Sequence, residues 1–335
     1  MRRPAAPDLA RLTSILRNLE GKTVVVAGDF VADEYVYGET ERISREAPVL
    51  IVRYERSELK AGCAGNAARN LAALGVRVRA VGVVGDDDLG TALLDVLEES
   101  DVDVRGIQRL RGRATEAKTR ILAGGRSTRR QQMLRVDRAP EPLPESAARR
   151  LASDLVRASR GASAVLASDY GSSALGPRAI EALQRVRRGG IPVCVDSRYR
   201  LAEFTDLTMV KPNEPELEAA SGLSLRQAGG LERAARALQR RVRCEQLLVT
   251  RGRNGMSLFR RGAAPLHLPA HGSAEAVDVT GAGDTVAATF CAALAAGADA
   301  AQAAALANVA GALVVQKAGT ATVSGEELLA ELLRS

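Results

Sequence analysis

The segment with the clearest potential for chemistry is Asp-Val-Thr-Gly-Ala-Gly-Asp at residues 278–284, directly before the small, apolar, helix-prone stretch 285–296. Gly281 and Gly283 allow backbone N–H groups to crowd around an anion, and the helix dipole there favours the negative charge of a phosphate. Asp284 ends the turn, where a carboxylate can accept a proton from an attacking hydroxyl. The segment therefore predicts a phosphoryl-transfer site.

Simpler interpretations of this segment exist, because glycine-rich turns often precede helices and aspartate is a common N-cap residue. A dinucleotide-binding Gly-x-Gly-x-x-Gly turn is excluded by Val286, which stands where the third glycine is required. A P-loop is excluded because Gly-x-x-x-x-Gly-Lys-Ser/Thr is absent from the sequence. The phosphoryl-transfer hypothesis thus depends on the other motifs of the chain.

The composition favours a globular enzyme over several other classes. The 335 residues are 46% hydrophobic and 26% charged, which is enough for a substantial core. No run of about 18 apolar residues exists, and the N-terminus lacks the apolar centre of a signal peptide, so we expect a cytoplasmic protein without a membrane partner. The net charge of +7 comes with five Tyr, four Phe and no Trp, too few stacking platforms for nucleic acid. A net positive charge is compatible with ligands that carry phosphate groups.

Zinc and disulfide sites are not expected. The four cysteines form no Cys-x-x-Cys pair, so we interpret them as buried thiols in a reducing compartment. His267 and His271 are the only histidines, and Pro269 between them is incompatible with a helical pair of zinc ligands.

The chain alternates strand-like and helix-like segments, which predicts one large α/β domain with a parallel sheet. Residues 22–28, 164–168, 191–195, 207–210 and 246–250 read as buried strands. Taken singly, a polar residue after such a strand is more often a turn residue or a helix cap than part of a functional site. Because the carboxyl ends of parallel strands share one edge, their joint placement nevertheless predicts a site there. These residues are Asp29, Asp33, Asp169, Asp196, Lys211, Asn213, Thr250 and Gly252.

Two further segments predict a small β lid on this domain. Residues 36–58 form short strand-like pieces around Pro48, and residues 115–122 and 130–136 form a hairpin around Gly124 and Gly125. We therefore predict one domain over residues 1–335, with lid segments at about 36–60 and 112–137.

The order and spacing of the motifs resemble the ribokinase-like (PfkB) family of carbohydrate kinases over nearly the whole chain. The resemblance implies a three-layer α/β/α sandwich with a mainly parallel central sheet and a small β lid. The closing Asp-x-Thr-Gly-Ala-Gly-Asp is highly specific in combination with Asn-x-x-Glu. The matching segments are 28–33, 62–66, 85–90, 213–216, 249–252 and 278–284.

Within that family, segments 35–38, 42–49, 118–120, 131–137 and 168–170 are most similar to members that phosphorylate C1 of D-glycero-β-D-manno-heptose 7-phosphate. This similarity implies ATP-dependent formation of the 1,7-bisphosphate, a precursor of ADP-heptose and lipopolysaccharide. Many such proteins carry a nucleotidyltransferase with His-x-Gly-His, which is absent here, so we expect the single-activity form. The alternatives are a kinase for another sugar, sugar phosphate or nucleoside, or a non-catalytic sugar or nucleotide sensor.

The resemblance also implies roles for individual residues at the phosphoryl end of the site. Asp284 would be the base, and the turn of Gly281, Ala282 and Gly283 would supply the N–H groups that bind the γ-phosphoryl oxygens. Mg²⁺ would be held through water by Asn213 and Glu216. Thr250, Gly252 and Asn308 would line the ATP site. Asp278 and Thr280 match the place where some relatives bind a monovalent cation, such as K⁺.

At the sugar end, the resemblance implies hydroxyl partners and cations for the remote phosphate of the substrate. The lid would exclude water, and in relatives it also makes the homodimer contact. The sequence departs from the family at Ala61-Gly62-Cys63 and Asp196-Ser197-Arg198, which affects substrate identity more than catalysis. The sugar-site candidates are Asp33, Gly62, Asn66 and Asp169 for hydroxyls, and Lys118, Arg120, Arg135 and Arg198 for the phosphate.

Overall fold

The computed structural model describes residues 9–125, 130–139, 141–272 and 276–334. Residues 126–129 of the predicted lid, and both ends of the predicted domain, lie outside the described residues.

The strands build a central sheet and a lid that share one strand. The central order is β12-β11-β10-β9-β8-β7-β1-β3-β4, parallel from β10 to β4 and antiparallel at β11 and β12. This sheet confirms the predicted, mainly parallel architecture. The strands are β1 (Thr23–Ile43), β2 (Leu50–Cys63), β3 (Arg77–Gly85), β4 (Val102–Leu110), β5 (Ala117–Gly124), β6 (Gln131–Arg138), β7 (Ala164–Asp169), β8 (Val193–Ser197), β9 (Met209–Val210), β10 (Gln246–Thr250), β11 (Met256–Arg260) and β12 (Leu266–Leu268).

The helices cover both faces of the sheet. Within the described ranges, none is long and apolar enough to cross a membrane. They are α1 (Leu9–Arg17), α2 (Ala64–Ala73), α3 (Asp88–Glu98), α4 (Glu145–Ala158), α5 (Pro177–Arg188), α6 (Glu214–Ser221), α7 (Gly230–Val242), α8 (Ala282–Ala295), α9 (Ala300–Val314) and α10 (Gly325–Arg334).

Two buried clusters show why the molecule has three layers. Alternate residues of a strand point to opposite faces, and β1 is apolar on both. Val24 and Val26 pack in a cluster with α1–α3 and α8–α10, whereas Val25 and Ala27 pack in a second cluster with α4–α7. The continuous apolar run of β1 therefore requires helices on both sides, which is the predicted sandwich.

The lid is a direct continuation of the central sheet. Sequence reasoning placed the end of the first strand at residue 28 and short pieces beyond it, which is wrong, because β1 continues unbroken to Ile43. Its second half pairs with β2 and β5, and β5 pairs with β6 in the predicted antiparallel hairpin. The strand β1 thus runs from the core into the lid. The central sheet and the lid are therefore directly connected through this strand.

Candidate active site

The turn before α8 fits against α2 only because of its glycine. Gly281 has φ = 79°, in the left-handed region, and a Cβ there would lie 2.5 Å from the Asn66 side-chain nitrogen Nδ2. Both observations exclude a larger residue. The close approach brings the first turn of α8 onto the buried Asn66 of α2.

Two backbone N–H groups at the start of α8 are free to bind an anion. In the part of the chain that the structure describes, the N–H groups of Gly283 and Asp284 donate to no acceptor. The N–H of Ala282 donates to the carbonyl of Val279 at 3.3 Å, a long hydrogen bond that competes little with an anion. With the helix dipole behind them, these groups are suited to binding an anion, and we call this first turn of α8 the anion pocket.

Both carboxylate oxygens of Asp284 are held by side-chain donors. Asn66 Nδ2 donates to Oδ2 at 2.9 Å, and the Tyr170 hydroxyl donates to Oδ1 at 2.9 Å. Asn70 Nδ2 donates to Asn66 Oδ1 at 3.3 Å, which orients the Asn66 amide with its nitrogen toward the carboxylate. The carboxylate next to the anion pocket is therefore fixed in direction.

The environment of Asp284 brings the pKa of its carboxyl group close to neutral pH. Burial and the nearby negative charge of Asp196 raise the pKa of Asp284 to about 7, against the hydrogen bonds from Asn66 and Tyr170 and the charge of Lys211. A carboxylate with this pKa is a far stronger proton acceptor than an exposed aspartate, and much of it is still ionised at neutral pH.

A buried ion pair completes this end of the site. Lys211 Nζ lies 3.0 Å from Asp196 Oδ1, and a Cβ at Gly283 would lie 3.4 Å from Nζ, so the ammonium borders the anion pocket. Burial lowers the pKa of Lys211, but the charges of Asp196, Glu216 and Asp284 outweigh it and raise the pKa. The ammonium thus stays charged beside the pocket.

The candidate metal residues form the N-terminal cap of α6. Asn213 Oδ1 accepts from the Glu216 N–H, and Glu216 Oε2 accepts from the Asn213 N–H, each at 2.8 Å. Asn213 also forms a parallel bridge with Thr250, which places the end of β10 beside this cap. These residues lie close to Lys211, whose charge lowers the pKa of Glu216 against the dominant effect of burial, which raises it.

Two candidate ATP-site residues lie farther along the same edge. Gly252 follows β10 in an exposed turn, and Asn308 on α9 donates to the Pro269 carbonyl at 2.7 Å. Both remain predictions as ATP contacts.

The sugar-site candidates gather where the lid meets the central sheet. Arg120 donates to Asp33 Oδ1 at 2.6 Å, and a Cβ at Gly62 would lie 2.2 Å from Asp33 Oδ2, so only glycine admits this carboxylate. Lys118 Nζ lies 3.7 Å from the Cys63 sulfur and 5.3 Å from the centre of the Tyr170 ring. Tyr170 connects this region to Asp284, so the two ends of the site are adjacent.

The two remaining phosphate candidates are exposed. Arg135 on β6 pairs with Asp137 at 2.8 Å. Arg198 follows β8, and its charge acts on both Asp196 and Glu216. Arg135 lies opposite Arg120 in the lid register, on the same face of the hairpin. Their contact with substrate remains a prediction.

Asp169, which is predicted to contact a sugar hydroxyl, lies in the interior at the end of β7. Its side chain is fully buried, with Oδ2 accepting from the Ser197 hydroxyl at 2.6 Å and Oδ1 accepting from Arg200. These contacts join the ends of β7 and β8. Contact of Asp169 with a sugar hydroxyl remains a prediction.

Sequence reasoning did not assign functional roles to Tyr170, Asn70 or the Lys211–Asp196 pair. Burial and the charge of Asp284 raise the pKa of Tyr170 well above its usual value, so the phenol stays a donor. A lysine and an aspartate directly after neighbouring apolar strands were the available signal for the ion pair.

This sheet, with its β lid and an anion pocket at a helix N-terminus, defines a ribokinase-like fold. Solved structures of the same fold include Arabidopsis thaliana ribokinase complexed with ribose and ATP, at a TM-score of 0.73 and 22% identity, covering 93% of this chain and 99% of that one. Escherichia coli phosphofructokinase-2 in complex with potassium matches at a TM-score of 0.77 and 18% identity, covering 93% and 98%.

The chain belongs to the pfkB family of carbohydrate kinases, whose sequence profile matches residues 22–327. It is 40% identical over 325 residues to the bifunctional protein HldE of Pelobacter propionicus, covering 96% of this chain and 65% of that protein. It is 41% identical over 323 residues to HldE of Caulobacter vibrioides, covering 95% and 65%. The chain thus spans 65% of the length of these relatives.

Proposed function

We propose that this sugar kinase transfers the γ-phosphoryl group of ATP to C1 of D-glycero-β-D-manno-heptose 7-phosphate, giving the 1,7-bisphosphate. The reaction type is supported by the surroundings of Asp284. Two donors orient its carboxylate, and burial and charge raise its pKa to about 7. It lies beside backbone N–H groups that are free to bind an anion. The acceptor is supported by the resemblance of residues 35–49 and 118–137 to heptose 7-phosphate kinases and by the identity to HldE proteins.

In this mechanism the chain positions the reactants and neutralises charge, as phosphoryl transfer requires. The N–H groups of Gly283 and Asp284 bind the γ-phosphoryl oxygens, and Lys211 adds positive charge beside them. Asp284 accepts the proton of the C1 hydroxyl as the oxygen attacks phosphorus in line with the leaving ADP. The lid closes over the sugar and excludes water, which would otherwise compete as acceptor.

Mg²⁺ fits the cap of α6. Among the described residues, Glu216 Oε1 accepts no hydrogen bond, so this oxygen can face a hydrated ion while Oε2 keeps capping the helix. Asn213 and Glu216 would hold the ion through its water, and Thr250 and Gly252 would line the nucleotide. When bound, Mg²⁺ neutralises phosphate charge. ATP as donor and four buried free cysteines agree with a cytoplasmic location.

The phosphate of the sugar would meet the basic side of the cleft. Lys118 and Arg120 lie at the junction of lid and sheet, and Arg135 lies opposite Arg120 on β6. Arg198 follows β8, where its charge acts on Asp196 and Glu216. Asp33, Gly62 and Asn66 would face the sugar hydroxyls. Because Asp33 already pairs with Arg120, a bound sugar would share this carboxylate with the guanidinium.

A competition among acceptors tests this function. ADP release should be measured with heptose 7-phosphate, ribose, fructose and adenosine as acceptors, each with ATP and Mg²⁺. We expect kcat/KM for heptose 7-phosphate to exceed the others by about 10²-fold or more, because acceptors without the phosphate lose its charge-assisted hydrogen bonds to the basic side chains. A higher kcat/KM for another acceptor would establish that acceptor instead, and sugar binding without ADP release would indicate a sensor.

The lid also supports a homodimer. It exposes apolar side chains on both β1–β2 and β6, including Ile43 (65% exposed), Tyr54 (62%) and Leu134 (54%). Sedimentation at micromolar concentration should show a dimer for the wild type and a monomer for Leu134→Glu. The matched control is Leu333→Glu on α10, which changes another exposed leucine and should leave the dimer intact. A monomeric wild type would contradict the proposal.

A further inference from the structure

The turn that forms the anion pocket is tied to the loop after α9 by one carboxylate. Asp278 Oδ1 accepts from the Thr280 N–H at 2.9 Å, and Asp278 Oδ2 accepts from the Gly319 N–H at 2.9 Å. We call this arrangement the Asp278 clamp. Because Thr280 precedes Gly281 directly, any shift of the clamp moves the N–H groups that bind phosphate.

Lys60 brings a positive charge to the clamp from the lid. It lies near the base of β2, and its Nζ would be 3.2 Å from a Cβ at Gly319. The same ammonium lies 3.3 Å from Glu58 and 5.5 Å from the centre of the Tyr35 ring. Most of the Lys60 side chain is covered, since its exposure is 24%. The ammonium is therefore held beside Gly319 by packing as well as by charge.

The charge of Lys60 affects the pKa of Asp278. Burial acts to raise the pKa of Asp278, but hydrogen bonds from Thr280 and Gly319 together with the charge of Lys60 lower it overall. The clamp carboxylate thus stays ionised, with the Lys60 ammonium as its nearby cationic compensation.

A monovalent cation does not fit beside the clamp while Lys60 is there. Such an ion would need several oxygen ligands, and at Asp278 it would compete with the backbone N–H groups of Thr280 and Gly319, which already donate to the two carboxylate oxygens. It would also be repelled by the ammonium next to Gly319. The residues of this chain therefore disagree with the K⁺ requirement that the resemblance leaves open for Asp278 and Thr280.

We propose that Lys60 is a positioning residue whose ammonium takes the place of a monovalent cation at the Asp278 clamp, so that the protein holds its anion pocket without K⁺. Since Lys60 belongs to the lid, the same contact couples the lid to the phosphate-binding turn. This inference rests on the phosphoryl-transfer function proposed above, but it concerns nucleotide binding and stability, which need no sugar acceptor.

The test compares K⁺ with choline at equal ionic strength. The Kd for a Mg²⁺-bound non-hydrolysable ATP analogue and the Tm are measured for the wild type, Lys60→Met and Lys22→Met. Methionine keeps the unbranched shape and most of the length of the lysine side chain and removes its charge. Lys22 precedes β1 at the opposite edge of the sheet and is the matched control.

For the wild type and for Lys22→Met, we expect the Kd for the analogue to differ by less than about twofold between K⁺ and choline. Lys60→Met should bind about tenfold more weakly in choline and recover in K⁺, with a parallel rise in Tm, since the free ion then compensates Asp278. The proposal is overturned if the wild type needs K⁺, if Lys60→Met binds normally in choline, or if its lost affinity does not return with K⁺.

If Lys60→Met does not fold, the wild type alone decides whether the anion pocket needs K⁺: nucleotide binding that differs between K⁺ and choline would overturn the proposal. Salt-independent nucleotide binding combined with no phosphorylation of any sugar would contradict the proposed function and leave the role of Lys60 standing.

Discussion

Replacing Asp284 by asparagine should lower kcat by about 10²- to 10⁴-fold while leaving ATP binding largely intact. Asparagine keeps the shape of the side chain and can still contact Asn66 and Tyr170, but it cannot accept the proton of the sugar hydroxyl. The measurement is steady-state turnover, together with a separate titration of nucleotide affinity. Wild-type turnover in this variant would refute the role of Asp284 as base.

The stability of the same variant provides an internal check. Asp284 has a folded pKa of about 7, raised above the ordinary value of 3.8, so its contribution to stability is present at low pH and is lost as the pH rises toward 7. An asparagine side chain cannot ionise, so Asp284→Asn should gain Tm relative to the wild type at about pH 8 but not at about pH 4. Asp154→Asn changes a buried aspartate on α4 and serves as the control.

Replacing Lys211 by methionine should have the second-largest effect. The charge of the ammonium acts on both Asp196 and Asp284 and lowers the pKa of Asp284, so its removal should raise that pKa above about 7. We expect kcat at neutral pH to fall by about 10²-fold or more, and the acidic limb of the pH–rate profile to move to higher pH by about one unit. The measurement is kcat across the pH range.

A second substitution separates this electrostatic effect from simple misfolding. Breaking a buried pair leaves Asp196 uncompensated, at a cost of about 3–5 kcal/mol. Adding Asp196→Asn to Lys211→Met should restore stability and return the acidic limb toward its wild-type position, although kcat stays low because the charge beside the pocket is missing. An unshifted profile in Lys211→Met would contradict the coupling.

The glycine turn that opens α8 was predictable as local structure because its information is local. Gly281, Gly283 and Asp284 lie within four residues of one another, and the helix that follows them fixes where the N–H groups point. Asn213 and Glu216 were predictable as a pair for the same reason, since a capping box fixes two residues three positions apart. The parallel sheet followed from the apolar runs, which need cover on both faces.

The rest of the site depends on contacts between distant segments. Asn66 and Asp284 are separated by 218 residues, and their hydrogen bond exists only because Gly281 lets α8 approach α2. A strand-end position does not reveal whether a carboxylate such as that of Asp169 faces the cleft or the interior. The unbroken course of β1 was missed because its polar second half is stabilised by pairing with β2 and β5, which sequence periodicity does not show.

The most direct test of the account is a crystal structure with a non-hydrolysable ATP analogue, Mg²⁺ and heptose 7-phosphate. We predict the γ-phosphate within hydrogen-bond distance of the Gly283 and Asp284 N–H groups, and the C1 hydroxyl about 3 Å from the Asp284 carboxylate. A terminal phosphate bound away from the first turn of α8, or a C1 hydroxyl beyond the reach of Asp284, would contradict the account.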